Sequence, residues 1–189
     1  MFVIWLAALV AFLAAETGQS DIIVGTYMSS RRHPSLRNKI GCFAHFVALR
    51  FQCDPARPFS DWLSEIQSWV TAAQDRCEIP NVELRSVLHG LGVPAPEVQV
   101  IFRAPMGTGR VEMHFAGLEL FGIDLCTETT MPSNFRIDLL KIPHQICRGY
   151  FDAEIYDPKG VRQFLGRLCE FLEALARHPS LSIRQAMSK

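Results

Sequence analysis

The first fifteen residues, MFVIWLAALVAFLAA, are wholly apolar, and this run limits the fold more than any other feature of the chain. A membrane-spanning helix needs about 20 apolar residues, whereas this run ends at Glu16. A secretory leader begins with positive charge, whereas the first Lys or Arg here is Arg31. A helix that is apolar on all faces is covered on all faces in a folded protein. We therefore expect a buried core helix ending at Gly18 in a left-handed cap, with a leader or an anchor as the alternatives.

Hydrophobic periodicity places further elements along the chain. Asp21 to Ser30 and Ile40 to Cys53 are rich in branched and aromatic residues, which is typical of strands. Pro58 to Arg76 has the period of an amphipathic helix, with Ser60 or Asp61 as its N-cap. Shorter or weaker elements are a helix at Asn81–Leu91, a strand at Val98–Phe102 and β-rich segments at Val111–Leu125 and Phe135–Tyr156.

The strongest helical pattern lies near the C-terminus, over Gly160 to Arg177. The polar stretch after it, Ser180 to Lys189, has few apolar anchors, and we expect a tail there. In the helix after Pro58, one apolar stripe is expected to face the core; it comprises Leu63, Ile66, Trp69, Val70 and Ala73. The order of helix, strands, helices, strands and helix predicts one α/β or α+β layered domain over residues 1–189.

Composition excludes several classes of protein. The formal net charge is zero, with 19 basic and 19 acidic residues, whereas nucleic-acid binders usually carry a basic excess. The six cysteines do not combine with histidines at zinc spacing, so we expect no metal site and reduced thiols in a cytoplasmic protein. Gly107-Thr108-Gly109 is too short for a phosphate loop. Asp124 and Asp138 interrupt apolar strands, and we expect both to face outward.

Five segments resemble motifs of one enzyme family, the condensation domains of nonribosomal peptide synthetases. Thr17–Arg31 (TGQSDIIVGTYMSSR) resembles the family stretch TGQ-D-I-V-V-G-T-x-x-S-x-R. Ile40–Arg50 (IGCFAHFVALR) resembles its IGxFVNTLxLR motif, with Ala44-His45-Phe46 in place of Val-Asn-Thr. Further along, Gln74-Asp75 and Ile79-Pro80 resemble HQDxPFE.

The remaining similarities follow in the family's order. Val98–Phe102 resembles the FQVMF strand, and Phe135–Leu140 with the final helix resembles the closing FDLxL strand and helix. The resemblance implies a chloramphenicol-acetyltransferase-like half-domain, in which a mixed β-sheet packs against the buried N-terminal helix and the C-terminal amphipathic helix. It covers the C-terminal lobe only. The family's catalytic HHxxxDG motif belongs to the N-terminal lobe, and this sequence has no adjacent histidine pair.

The resemblance also implies roles for individual residues. Family members join a carrier-bound acyl or aminoacyl thioester to an amine, in a tunnel between the two lobes. Carried onto this sequence, the tunnel wall comprises Tyr27, Ser29, Arg31, Phe43 and His45. Serine hydroxyls suit the amides of a phosphopantetheine arm, and Arg31 would meet its phosphate. His45, a lone histidine in an apolar strand, is otherwise typical of a hydrogen-bonded core residue.

Asp75 and Pro80 are expected to shape the crossover loop, and no catalytic residue is assigned to this chain. The implied partners are peptidyl or acyl carrier protein domains, which carry the phosphopantetheine, and an N-terminal condensation lobe; no nucleic acid or membrane is implied. Three hypotheses remain: an inactive half of an amide-forming enzyme, a non-catalytic stand-alone remnant that binds a carrier or partner lobe, and a small secreted or membrane-anchored protein. A coenzyme A acyltransferase or an epimerisation domain would share the fold.

The lobe hypothesis predicts the behaviour of the isolated chain. The tunnel face around residues 26–31 and 40–50 would be exposed and partly apolar, so we expect a homodimer or aggregates. Sedimentation velocity over a hundredfold range of concentration measures this. A sharp monomer peak at the highest concentration would count against the lobe hypothesis.

Overall fold

The apolar N-terminal run forms helix α1, Phe2–Thr17, as its composition predicts. Gly18 ends the helix with φ 70°, and its amide donates a hydrogen bond to the Ala14 carbonyl at 2.9 Å. Glycine adopts this left-handed conformation without steric cost, which explains the stop. Ten of the sixteen residues of α1 are buried. Within the described part of the chain, every helix falls short of the length and hydropathy that a bilayer-spanning segment requires.

The computed structural model describes residues 1–29, 31, 34–36, 38–77, 79, 81–104, 135–140 and 146–188. Four helices besides α1 lie in these ranges: α2 (Phe59–Arg76), α3 (Asn81–Gly90), α4 (Pro158–Arg177) and α5 (Ile183–Met187). The strands are β1 (Asp21–Ser29), β2 (Ala44–Gln52), β3 (Val100–Arg103), β4 (Phe135–Leu140) and β5 (Ile146–Phe151). The predicted β-rich segment Val111–Leu125 lies outside the described residues.

The strands form one mixed sheet in the order β2-β1-β3-β4-β5. β1 pairs antiparallel with β2 and parallel with β3; β3 pairs parallel with β4, and β4 antiparallel with β5. The layered α/β architecture expected from the order of elements is therefore confirmed. The register brings the two motif-bearing segments side by side, with Tyr27 opposite Phe46 and Met28 opposite His45.

The two faces of the sheet have different surroundings. Side chains alternate along β1, so Ile22, Val24, Thr26 and Met28 point to one face, and all four are buried. Helices α1 and α4 cover this face, which we call the helix-covered face. The opposite face, which we call the outer face, carries Tyr27 and Ser29, and both of these are exposed.

Helix α1 lies at the centre of the core on the helix-covered face. The Phe2 ring meets that of Phe102 on β3, with centroids 5.5 Å apart, and Phe12 meets Phe164 of α4 at 5.2 Å. On another side, the indole Nε1 of Trp62 in α2 donates to the Ala7 carbonyl at 3.0 Å. A buried indole N–H needs such a partner, so this bond locks α2 onto α1.

The structure corrects two of the sequence predictions at helix ends. Helix α2 begins at Phe59 after Pro58, one or two residues before the expected Ser60 or Asp61 cap. The expected polar tail contains the short helix α5, which starts with a capping box between Ser182 and Gln185. Ile183 of α5 is fully buried. Ala186 is also buried, and the Arg184 amide donates to the Pro55 carbonyl at 3.0 Å. So short a helix has no long periodic stripe, and a search for such stripes misses it.

Gly25 allows an aromatic side chain to lie against the sheet on its outer face. A Cβ atom at this position would lie 2.6 Å from Cζ of Phe46 and 2.8 Å from Cγ1 of Val98. These distances are far inside van der Waals contact. The glycine of the V-G-T segment is therefore needed for space, because only a bare Cα lets Phe46 cross the neighbouring strand.

We predict that Gly25→Ala lowers the free energy of unfolding by about 1–3 kcal/mol, because Phe46 or Val98 must move. Gly166→Ala is the matched control, since Gly166 lies within α4 and a Cβ there would meet nothing within 4 Å. That control should raise stability by about 0.5–1 kcal/mol. Urea unfolding of the two variants tests both; equal effects of the two substitutions would refute the steric argument.

Thr26 generates a second prediction, because its hydroxyl is fully buried on the helix-covered face and has no hydrogen-bond partner among the described residues. An unsatisfied buried hydroxyl costs about 1–3 kcal/mol. Thr26→Val keeps the shape and should raise the free energy of unfolding by about 1 kcal/mol, whereas Thr26→Ser keeps the hydroxyl and should lower it. Chemical denaturation measures both, and a less stable valine variant would contradict the prediction.

Candidate functional site

Four of the residues expected at a tunnel wall lie together where β1 ends and β2 begins. Tyr27 is 39% exposed on the outer face, and its ring meets that of Phe46 edge-on, with centroids 5.5 Å apart. Ser29 follows on the same face and is exposed; its Oγ accepts a hydrogen bond from the Arg31 backbone N–H at 3.3 Å. This end of the sheet therefore presents an aromatic pair and a hydroxyl to solvent.

Arg31 is bound to main-chain carbonyls of the loop that joins β1 to β2. Its Nη1 donates to the carbonyl oxygens of Leu36 at 2.8 Å and Lys39 at 2.5 Å, and its Nη2 donates to that of Gly41 at 3.1 Å. The guanidinium carbon also lies 4.2 Å from the centre of the Phe43 ring. Arg31 and Phe43 thus meet, as expected of neighbours in one site, and the charge of Arg31 faces the protein's own carbonyls.

His45 is close to this group but on the other side of the sheet. It pairs with Met28, which is fully buried on the helix-covered face, so strand alternation directs His45 away from Tyr27. Its side chain is half-buried. The sequence motif alone places all five residues on one wall; the pleat of the strand divides them between two faces.

Of the two residues expected in a crossover loop, the structure describes one. Asp75 belongs to the last turn of α2, in helix rather than loop. Pro80 lies outside the described residues. The role expected of both stays a prediction.

An open groove with a volume of about 1,120 Å³ adjoins the aromatic pair. It lies between β2, α2, α3 and the segment before β3, and its apolar lining includes Tyr27, Phe46, Trp69, Ile79, Leu84 and Val98. Trp69 is 55% exposed, so the expectation that it belongs to the core stripe of α2 is wrong. Helical spacing alone groups Trp69 with Ile66 and Val70, although only these two of the three are buried.

A charged cluster lies on the outer face of β3 and β4. The Asp138 carboxylate is only 3% exposed, and its Oδ1 lies 3.2 Å from Nε of Arg136 and 3.5 Å from Nε of Arg103. Burial raises the pKa of Asp138, whereas Arg103, Arg136 and Arg148 oppose that rise. The expectation that Asp138 faces outward is wrong, because the residue is buried among arginines. Asp124, for which the same was expected, lies outside the described residues.

Two of the thiols, those of Cys53 and Cys147, offer little reactivity. Burial raises the pKa of Cys53 to about 11 and that of Cys147 to about 12. Both therefore stay protonated at neutral pH, and the thiol is a poor nucleophile and a poor metal ligand. The described ranges contain no group of three His, Cys, Asp or Glu side chains placed to hold a metal ion.

The sequence matches the family model described as the condensation domain over residues 1–188. Gramicidin S synthase 2 from Brevibacillus brevis is 23% identical over 98% of this chain, and the match covers 4% of that synthase. The chain therefore spans a small part of the curated relatives that it resembles.

Solved structures agree on the fold. The first condensation domain of the calcium-dependent antibiotic synthetase, in complex with a substrate analogue, superposes with a TM-score of 0.71 at 16% identity, over 96% of this chain and 39% of that one. A four-domain nonribosomal peptide synthetase bound to AMP and glycine superposes with a TM-score of 0.81 at 12% identity, over 97% of this chain and 15% of that one. The fold is the chloramphenicol-acetyltransferase-like fold of these neighbours. With its two motif strands paired and almost its whole length matched, the chain belongs to the condensation domain family.

Proposed function

We propose that this chain is the C-terminal lobe of a condensation domain and contributes one wall of an amide-forming tunnel. The observation that carries the proposal is the pairing of the two motif strands, which brings Tyr27 and Phe46 together on the outer face, where Tyr27 is exposed. The coverage supports it, since the chain spans 39% of a solved condensation domain. The sequence contains no adjacent histidine pair of the kind that HHxxxDG requires, so the lobe alone would be inactive.

In the proposed reaction, an amine nitrogen attacks the carbonyl carbon of a carrier-bound thioester. The C–N bond forms, the C–S bond breaks, and the proton lost by the nitrogen ends on the released thiol. Both substrates arrive on phosphopantetheine arms of peptidyl or acyl carrier proteins, the partners that this lobe would help to dock. We place this reaction in the cytoplasm.

The residues of this chain would act by positioning. Holding the amine and the thioester in line converts an encounter of two molecules into a reaction within one complex. An apolar wall built around Tyr27 and Phe46 would keep water from hydrolysing the thioester. The Ser29 hydroxyl would hydrogen-bond to amide groups of an arm. No proton transfer is assigned to any residue of the chain.

Amide formation by the chain alone and by the completed domain tests this proposal. A donor carrier with an acyl thioester and an acceptor carrier with an aminoacyl thioester are mixed with the 189-residue chain, or with the chain joined to an HHxxxDG-containing N-terminal lobe. Mass spectrometry of the acceptor carrier measures the product. We expect the uncatalysed rate with the chain alone and a rate at least a hundredfold higher with the completed domain.

The control is the completed domain with the second histidine of HHxxxDG replaced by alanine, which should return to the uncatalysed rate. Catalysis by the chain alone would overturn the assignment of chemistry to the other lobe. Carrier binding without catalysis by the completed domain would favour the alternative, a non-catalytic remnant that binds a carrier or a partner lobe.

A further inference from the structure

The loop between β1 and β2 is held by polar contacts rather than by burial. None of its described residues from 34 to 43 is buried, and the side chain of Ile40 is fully exposed. Such a loop has little apolar area with which to offset the entropy of ordering it. Whatever fixes its conformation must therefore come from hydrogen bonds and from contacts with its ends.

Arg31 supplies those contacts from the end of β1. Three of its N–H groups converge on carbonyl oxygens that are spread along the loop, those of Leu36, Lys39 and Gly41. The guanidinium is a planar fork with five donors in fixed directions, so one side chain can hold three carbonyls at once. A lysine ammonium is a compact point charge and cannot reproduce this arrangement.

The same side chain also fixes the start of β2. Its guanidinium lies over the Phe43 ring at 4.2 Å, and Phe43 is the residue immediately before that strand. Gly41, which has its carbonyl bound by Arg31, packs against the same ring, since a Cβ there would meet Cε2 of Phe43 at 3.0 Å. Arg31 therefore links the last residue of one motif, TGQSDIIVGTYMSSR, to the first residues of the other, IGCFAHFVALR.

We propose that Arg31 is a positioning residue that holds the β1–β2 loop, and through Phe43 the start of β2, against the outer face. This rests on the proposed function, because the Tyr27–Phe46 surface that it sets is the suggested tunnel wall. It replaces the role expected from sequence, that of a ligand for the phosphate of the arm. Three of the five N–H donors of this guanidinium already bind main-chain oxygens, which leaves only two that could reach a phosphate.

Arg31→Met and Arg31→Lys in the completed domain test the proposal with two measurements. The first is amide hydrogen exchange over residues 34–43, which needs no substrate. The second is the separate determination of kcat and of KM for the loaded carriers. We expect both variants to raise loop exchange at least tenfold and to lower kcat by about ten- to a hundredfold, with KM within twofold, because small misplacements at a reacting centre have effects of this size.

Arg177→Met is the matched control. Arg177 is an exposed arginine at the end of α4, and its Nη2 donates to the Glu173 carboxylate at 3.0 Å. Such exposed ion pairs contribute little. Because Arg177 lies outside β1, β2 and the loop between them, we expect the control to leave loop exchange and kcat unchanged.

The outcomes separate this proposal from the one on which it rests. Unchanged loop exchange in both Arg31 variants overturns it. A raised KM that Arg31→Lys restores also overturns it, and identifies Arg31 as a phosphate ligand. Raised exchange with unchanged kcat overturns the positioning role and leaves the proposed function intact. An inactive wild-type domain overturns the proposed function, while the exchange data still decide whether Arg31 holds the loop.

Discussion

Helix α1 has no polar face, so protein must cover it on every side, and the rest of the fold is arranged to do this. The sheet covers one side through Phe102, α4 covers another through Phe164, and α2 is locked on by the bond from Trp62 to the Ala7 carbonyl. Fully burying a large apolar side chain contributes about 1.5–3 kcal/mol. With ten residues of α1 buried, this one helix organises most of the apolar core.

Covering α1 commits one face of the sheet to the core and leaves the outer face outside it. Side chains alternate along a β-strand. Because β1 directs Val24 and Met28 into the core, it directs Tyr27 and Ser29 to the outer face. Gly25 allows Phe46 to lie across β1 beside Tyr27. Arg31 donates hydrogen bonds to the loop that leads into β2. The aromatic surface is thus a consequence of how the core is built, and the two motif segments form one structural unit.

Sequence patterns predict the parts of this fold in which one period or one composition dominates. The apolar run of α1 and its Gly18 cap are confirmed, as is the stripe of α4 with Leu168 and Phe171 in the core. Helical spacing fails for Trp69, because the edge of a stripe can face a groove as well as a core. The five-residue helix α5 is missed, because a cap and two buried residues, Ile183 and Ala186, leave no periodic signal.

The candidate site remains a prediction, and the sequence indicates the proximity of its residues better than their geometry. Tyr27, Ser29, Arg31 and Phe43, which the resemblance assigns to one wall, do lie near one another, since they flank one loop. It cannot show that His45 points to the other face, which depends on register, or that Arg31 is turned toward carbonyls. Hydrogen bonds from a guanidinium to backbone oxygens cannot be predicted from the identity of the partner residues, because every residue carries a carbonyl.

The central claim is that this chain works as one half of a two-lobed domain. The most direct test is the intact mass of the native polypeptide, captured from its source with an antibody against this lobe. The account predicts a mass far above 21.3 kDa, or a 21.3 kDa chain that copurifies with a partner containing HHxxxDG. A 21.3 kDa chain without such a partner would contradict it.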